Sequence, residues 1–355
     1  MAFIRLPVYL FAATLMAFAV GGPSFAADEE GDAEAPAEAE VKDILAGLDN
    51  PTGIAVQPET GHVFVADSGA GRVVKFDPAA KKQDVVAAID GYSLDVYGKG
   101  PMYNIGPLGL AFMGQNTLVV GDGSQKDGEE VVRVYDLSGG KALKAEDSKY
   151  TLGPIAAGDD SEKGEGNFYG VAASNTAIYI TCNGDDTKGW IARSLVEGGK
   201  PGDLLPFIAT KKLLEDTDAP VGITLNQNGQ IVVGQMGEIN KPKDSLLTVY
   251  DPESGELMIR AETGLFDIAG LAFSPKTGKL YCVDYAWMDS KEGGVFRLDV
   301  DEDARQVTAE KIASLDKPTS LAFGADGSLY VALIGTAEEG DTRKPGKLVK
   351  IVGEY

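Results

Sequence analysis

PTGIAVQPETGHVFVAD, from Pro51 to Asp67, is the stretch that decides the fold. It reads as an apolar run centred on Gly53, a tight turn over Gln57 to Gly61, and a second apolar run ending on an acid. The runs are short and rich in Val, Ile and Phe, and turn-forming residues bound them, which is the signature of paired strands. Five more copies follow: PLGLAFMGQNTLVVGD from Pro107, FYGVAASNTAIYITC from Phe168, PVGITLNQNGQIVVGQ from Pro220, IAGLAFSPKTGKLYCVD from Ile268 and PTSLAFGADGSLYVAL from Pro318. After each copy and a variable loop comes a third strand, such as RVVKFDP from Arg72 or GVFRLDV from Gly294.

The copies align on Gly53, Gly109, Gly170, Gly222, Gly270 and Ser320, at separations of 56, 61, 52, 48 and 50 residues. A period near fifty with several strands per unit predicts an all-β, six-bladed propeller of four-stranded antiparallel blades. The small anchor residue is expected where six inner strands crowd one axis. The last copy lacks an outer strand, and Ile44 to Pro51 mirrors Ile312 to Pro318. Val41 to Leu48 is therefore expected to join the C-terminal blade and close the ring, leaving no open edge. Cys182 and Cys282 fall in blades a full blade apart, too far for disulfide geometry, so two thiols are expected.

The folded part is expected to span residues 41–355. Residues 1–26 read as a signal peptide: Arg5, an apolar stretch from Val8 to Val20, and small residues up to a cut after Ala26. Residues 27–40 carry seven carboxylates and nothing larger than Glu, so a disordered acidic linker is expected. Together these imply a secreted or periplasmic protein with no membrane attachment after cleavage. The formal charge of −22 opposes nucleic acid and anionic membranes, and suits solubility, cationic partners or divalent ions. A single histidine, His62 beside a bottom turn, leaves little room for zinc or imidazole chemistry.

The turns at one face are tight and the connections at the other are long, among them Gly91 to Gly106, Gly153 to Asn167 and Tyr285 to Gly293. Long loops on a rigid scaffold place function on that top face. Two rings should rim the channel there. Asp67, Asp122, Gln235 and Asp284 end second strands, while Asn50, Asn167 and Asp267 precede first strands. As oxygen donors, Asp67, Asp122, Asn167, Asp267 and Asp284 would suit Ca²⁺ or Mg²⁺; equally, such residues cap turns. Asn50, Gln235 and the loop aromatics Tyr103, Tyr169, Tyr285 and Trp287 are ligand-binding candidates, or else pack the loops down.

Blade 1, with Leu48 to Val56 followed by Val63 to Gly69, resembles an NHL repeat, and the whole chain resembles the senescence-marker/gluconolactonase superfamily in architecture. For lactonases of that superfamily the resemblance implies one divalent cation at the channel mouth, held by a Glu, Asn residues and an Asp that also serves as base. Asp284 matches the Asp and Asn167 an Asn, but Asn50 stands where the Glu belongs. The quinone-dependent sugar dehydrogenases on propellers use a His base, and His62 is at the other end. Two readings follow. One is an exported recognition propeller taking a protein or carbohydrate partner on the top face. The other is a divalent-metal-dependent hydrolase of lactones or related esters with Asp284 catalytic. Beside these two stands a further reading, a purely structural exterior protein.

Overall fold

The computed structural model describes residues 38–80, 85–98, 101–159, 161–183, 189–214, 217–301, 305–337 and 343–355. The expected signal peptide and all but the end of the acidic linker lie outside them. Six small antiparallel sheets are arranged as the six blades of a propeller, and the one α-helix among the described residues is the single turn Thr210–Leu213. The inner strands are Pro51–Val56, Pro107–Met113, Phe168–Ala173, Ala219–Leu225, Ile268–Phe273 and Pro318–Phe323. The second strands carry the core. Val63–Asp67, Leu280–Asp284 and Leu329–Leu333 are buried at every position, since each lies mid-sheet and is covered on both faces by neighbouring blades.

The ring closes as the sequence predicts. Glu40–Leu48 pairs antiparallel with Gly346–Val352, giving blade 6 its outer strand. Leu45 and Leu48 of that strand are buried in a cluster with Ile54, Val63 and Leu348. Just before it, Ala39 N–H bonds Ile312 O at 2.9 Å, and the Glu38 carboxylate accepts from Ser314 N–H and Oγ–H at 2.9 and 2.7 Å. The first described residues thus hold blade 6 and also grip blade 5.

The anchors are small for a reason slightly different from crowding on the axis. A Cβ on Gly53 would strike Leu108 O, and one on Gly109 would strike Tyr169 O, each in the next blade's inner strand. A Cβ on Gly222 would lie 2.9 Å from Gly270 Cα, and one on Gly270 3.0 Å from Ser320 Cα. The pressure is sideways, from blade to blade. Threonines lace the same seams: Thr52 Oγ1 donates to Leu108 O at 3.1 Å, Thr181 Oγ1 to Val221 O at 2.9 Å, and Thr319 Oγ1 to Pro51 O at 2.8 Å across the closure. No disulfide joins Cys182 and Cys282, and both are buried.

Candidate functional site

Every inner strand breaks register with its neighbour at or beside the anchor, with bulges at Pro51/Ile54, Pro107/Leu110, Phe168/Val171, Pro220/Gly222, Ile268/Gly270 and Pro318/Ser320. A bulge turns one extra side chain out of the sheet. Here that residue is the one just before the anchor, and it faces the channel. Thr52, Leu108, Tyr169, Val221, Ala269 and Thr319 form this ring, one per blade, around a pocket of about 110 Å³ at the top of the channel. At roughly 10–15 Å³ per water-sized unit, such a space holds on the order of seven to eleven non-hydrogen atoms.

Tyr169 sets the floor. It reaches across the axis from blade 3 to the opposite blade 6, where its hydroxyl donates to Thr319 O at 3.2 Å. Together with Thr52 and Ala269 it lines both this pocket and a second chamber of about 290 Å³ below, between the lower halves of the inner strands. Aromatic residues build the upper wall. Tyr285 and Trp287 stack at 5.3 Å, and the Tyr285 hydroxyl hydrogen-bonds the Tyr103 hydroxyl at 2.9 Å. Tyr103 comes from a small hairpin, Asp95–Tyr97 with Tyr103–Ile105, set into the blade 1 to blade 2 connection. The polar wall consists of Asn50, Asn167, Asn183 and Asp218 with the two ring threonines. Asp218 pairs with Lys211 at 3.7 Å, and among the described residues the wall holds no other carboxylate and no Lys, Arg or His.

Asn50 and Asn167 both sit at positive φ, +51° and +46°, a conformation Asn adopts more readily than most residues. Asn50 is 7% exposed, and its Nδ2 donates to Asn104 O at 2.9 Å. Its Oδ1 is buried with no hydrogen-bond partner among the described residues. Such an orphaned acceptor costs about 1–3 kcal/mol unless something donates to it.

The four aspartates expected to converge on the mouth do not line it. Each is buried because its carboxylate is spent on neighbouring backbone. Asp67 accepts Asp49 N–H at 2.7 Å and pairs with Arg72 at 2.8 Å. Asp122 accepts Ser124 N–H at 2.9 Å and meets Arg133 at 3.4 Å. Asp284 accepts three amides, from Phe266, Asp267 and Ala286, at 2.9, 2.7 and 3.0 Å. Asp267 accepts Trp287 N–H at 2.7 Å. Glu130, which the sequence reading did not single out, does the same for Asn167 N–H at 2.5 Å, and burial pushes its carboxyl up to about 9. Asp267 and Glu130 thus brace the wall residues Trp287 and Asn167 directly, while Asp67, Asp122 and Asp284 hold other backbone amides. Asp284, the catalytic base expected from the sequence, does not line the pocket: its carboxylate is buried and accepts the amides of Phe266, Asp267 and Ala286. Gln235 is likewise turned away, its Nε2 donating to Thr248 Oγ1 at 3.0 Å and Tyr250 Oη at 3.3 Å inside blade 4. Asn50, Asn167, Tyr103, Tyr169, Tyr285 and Trp287 do come together in the pocket.

A family model for the NHL repeat matches residues 48–76. No curated protein sequence is similar enough to the chain to count as a relative. Among solved structures, an oxidoreductase of the glucose dehydrogenase type from Thermus thermophilus superposes with a TM-score of 0.59 at 16% identity, covering 88% of this chain and 100% of that one. The PQQ-bound aldose sugar dehydrogenase of Streptomyces coelicolor gives 0.57 at 16%, covering 90% and 100%. A gluconolactonase of Xanthomonas campestris gives 0.56 at 14%, covering 89% and 90%. At these identities the likeness is one of fold.

The donor set settles what these likenesses carry with them. The lactonase set implied above is a Glu, Asn residues and an Asp; the described wall offers Asn50, Asn167 and Asn183 but a single carboxylate, Asp218, already paired with Lys211. The ring facing the channel is Thr, Leu, Tyr, Val, Ala and Thr, and no group of three or more His, Cys, Asp or Glu among the described residues is placed to hold a metal. PQQ, a tricarboxylate, would meet no cation in the described wall. Among the described residues, neither group finds in this wall the charges it needs.

Proposed function

We propose that the channel-mouth pocket takes one small, uncharged ring molecule bearing hydroxyl groups, on the scale of a single sugar or sugar lactone, and does so without a metal ion. The observation that carries this reading is the buried, unpartnered Asn50 Oδ1 on the neutral polar side of a pocket whose other side is aromatic. A ligand hydroxyl donating to it removes a standing desolvation cost, while the ring faces of Tyr285 and Trp287 offer a stacking surface. The space suits a carbohydrate unit better than a protein side of standard interface size. The absence of cations from the described wall disfavours acids and phosphates as ligands.

A second reading, hydrolysis of a cyclic ester, has Asp218 in its favour, since it is the one carboxylate in the described wall. In that reading Asp218 takes a proton from water as the water adds to the ester carbonyl, then returns it to the ring oxygen that leaves. Calorimetric titration with a panel of neutral monosaccharides and their lactones, with and without EDTA, tests the first reading. Binding of at least one, unchanged by EDTA and weakened about three- to tenfold in Asn50→Ala, is expected. Binding that appears only with a divalent ion, or no binding at millimolar ligand, overturns it. Lactone turnover measured by pH-stat and abolished in Asp218→Asn would establish the second; its absence across the panel would end it.

A further inference from the structure

Blade 5 departs from blades 1 and 2 where it carries the aromatic wall. In blade 1 Arg72 stands opposite Asp67 across the ladder and pairs with it; in blade 2 Arg133 reaches Asp122. Opposite Asp284 in blade 5 stands Gly294. Asp284 therefore has three amides where the acids of blades 1 and 2 each have one amide and a guanidinium, and one of those three amides belongs to a second acid, Asp267. Asp267 is 3% exposed and turns Oδ2 to Trp287 N–H. The charged groups facing it are Asp284 from its own blade and Asp244 and Asp218 from the connections of blade 4. The cations nearby act on other groups: Lys311, on the outer strand of blade 5, favours the charged form of Asp284, and Lys243 lies 6.0 Å from the Phe266 ring.

We propose that Asp267, its backbone fixed by Asp284, is a positioning residue, and that its charge state sets how firmly the Tyr285–Trp287 wall is held against the pocket. The geometry links the two acids to the wall in sequence. Asp284 fixes the backbone of Asp267, Asp267 fixes the backbone of Trp287, and Tyr285 N–H returns to Asp267 O at 2.9 Å. Burial, then the facing carboxylates, push Asp267 up to about 7. An ionised acceptor makes a bond roughly twice as strong as a neutral one. The wall is accordingly gripped above neutral pH and loosens as the proton arrives. The consequence for ligand affinity rests on the pocket being the binding site; the device itself does not, and it is tested with no ligand present.

The chain has two tryptophans, and Trp190 is 8% exposed at the core, so a pH-dependent change in quenchability reports Trp287. Acrylamide quenching is followed from about pH 8.5 to about 5.5, a window chosen to bracket the shifted acid. Quenching that rises with a midpoint near 7 is expected in the parent, and a flat profile in both Asp267→Asn and Trp287→Phe. A flat parent profile, or a midpoint unmoved in Asp267→Asn, overturns the proposal. Should Asp267→Asn fail to fold, carboxyl-carbon NMR of the parent decides: one aspartate must titrate near 7, and if all titrate below about 5.5 the proposal falls.

Discussion

Removing the side chains with which Glu40–Leu48 seals the ring should take away most of the protein's stability. Leu45 and Leu48 are 7% and 3% exposed and pack in one cluster with the inner and second strands of blade 1 and the last strand of blade 6. A buried Leu→Ala change costs about 2–5 kcal/mol, so the pair together stands at about 4–10 kcal/mol if the two sites add. Against a typical total of about 5–15 kcal/mol, that is a large fraction. Urea unfolding of Leu45→Ala/Leu48→Ala, followed by far-UV circular dichroism, measures the loss. Asp43→Ala is the control. It lies on the exposed side of the same strand and forfeits only a surface pair with Lys347, worth about 0–1 kcal/mol. If the double variant stays within about 1 kcal/mol of the parent, the strand is decoration and the ring is held shut by the blade seams alone.

Other perturbations separate the braces from the pocket. Arg72→Ala strands the fully buried Asp67 carboxylate, whose pKa burial already raises; a loss of about 1–3 kcal/mol is expected at neutral pH, shrinking in thermal melts at acid pH, where a protonated Asp67 needs no partner. Ser314 holds the Glu38 carboxyl below its ordinary value, so Glu38 contributes stability above its unfolded pKa that is lost as pH falls through the folded one; Glu38→Gln should narrow the difference in melting temperature between neutral and acid solution, and an unchanged difference would refute the staple. Tyr169→Phe should cost about 0.5–1.5 kcal/mol through the lost bond to Thr319 O, whereas Tyr169→Ala should merge the two chambers in a crystal structure.

The sequence carried the fold because the repeat repeats everything that matters mechanically. Each blade needs a residue without a Cβ, or nearly so, where it meets the next, and six such residues at near-regular spacing are visible without any coordinates. The mouth was legible only in part. Asn50 and Asn167 stand out as residues before strands, and the aromatics as large side chains in long loops. The aspartates misled because a carboxylate at a strand end looks the same on paper whether it faces solvent or a row of amides. The channel-facing ring was missed because simple alternation along an extended strand does not foresee a bulge at every anchor. The column just before the anchor, reading Thr, Leu, Tyr, Val, Ala and Thr down the aligned copies, held the clue. Asp218 was hidden by its own register, one residue upstream of the position compared across blades.

The phenol that spans from blade 3 to blade 6 has a practical corollary. Because the hub is stopped there, the opening cannot serve as a tunnel: whatever goes in must back out the way it came. Any bulky appendage on a guest therefore has to trail outward past the Tyr103 hairpin. A resin-linked or dye-tagged ring should be tolerated when the tether leaves from the outer edge of the ring, and refused when it leaves from the buried edge.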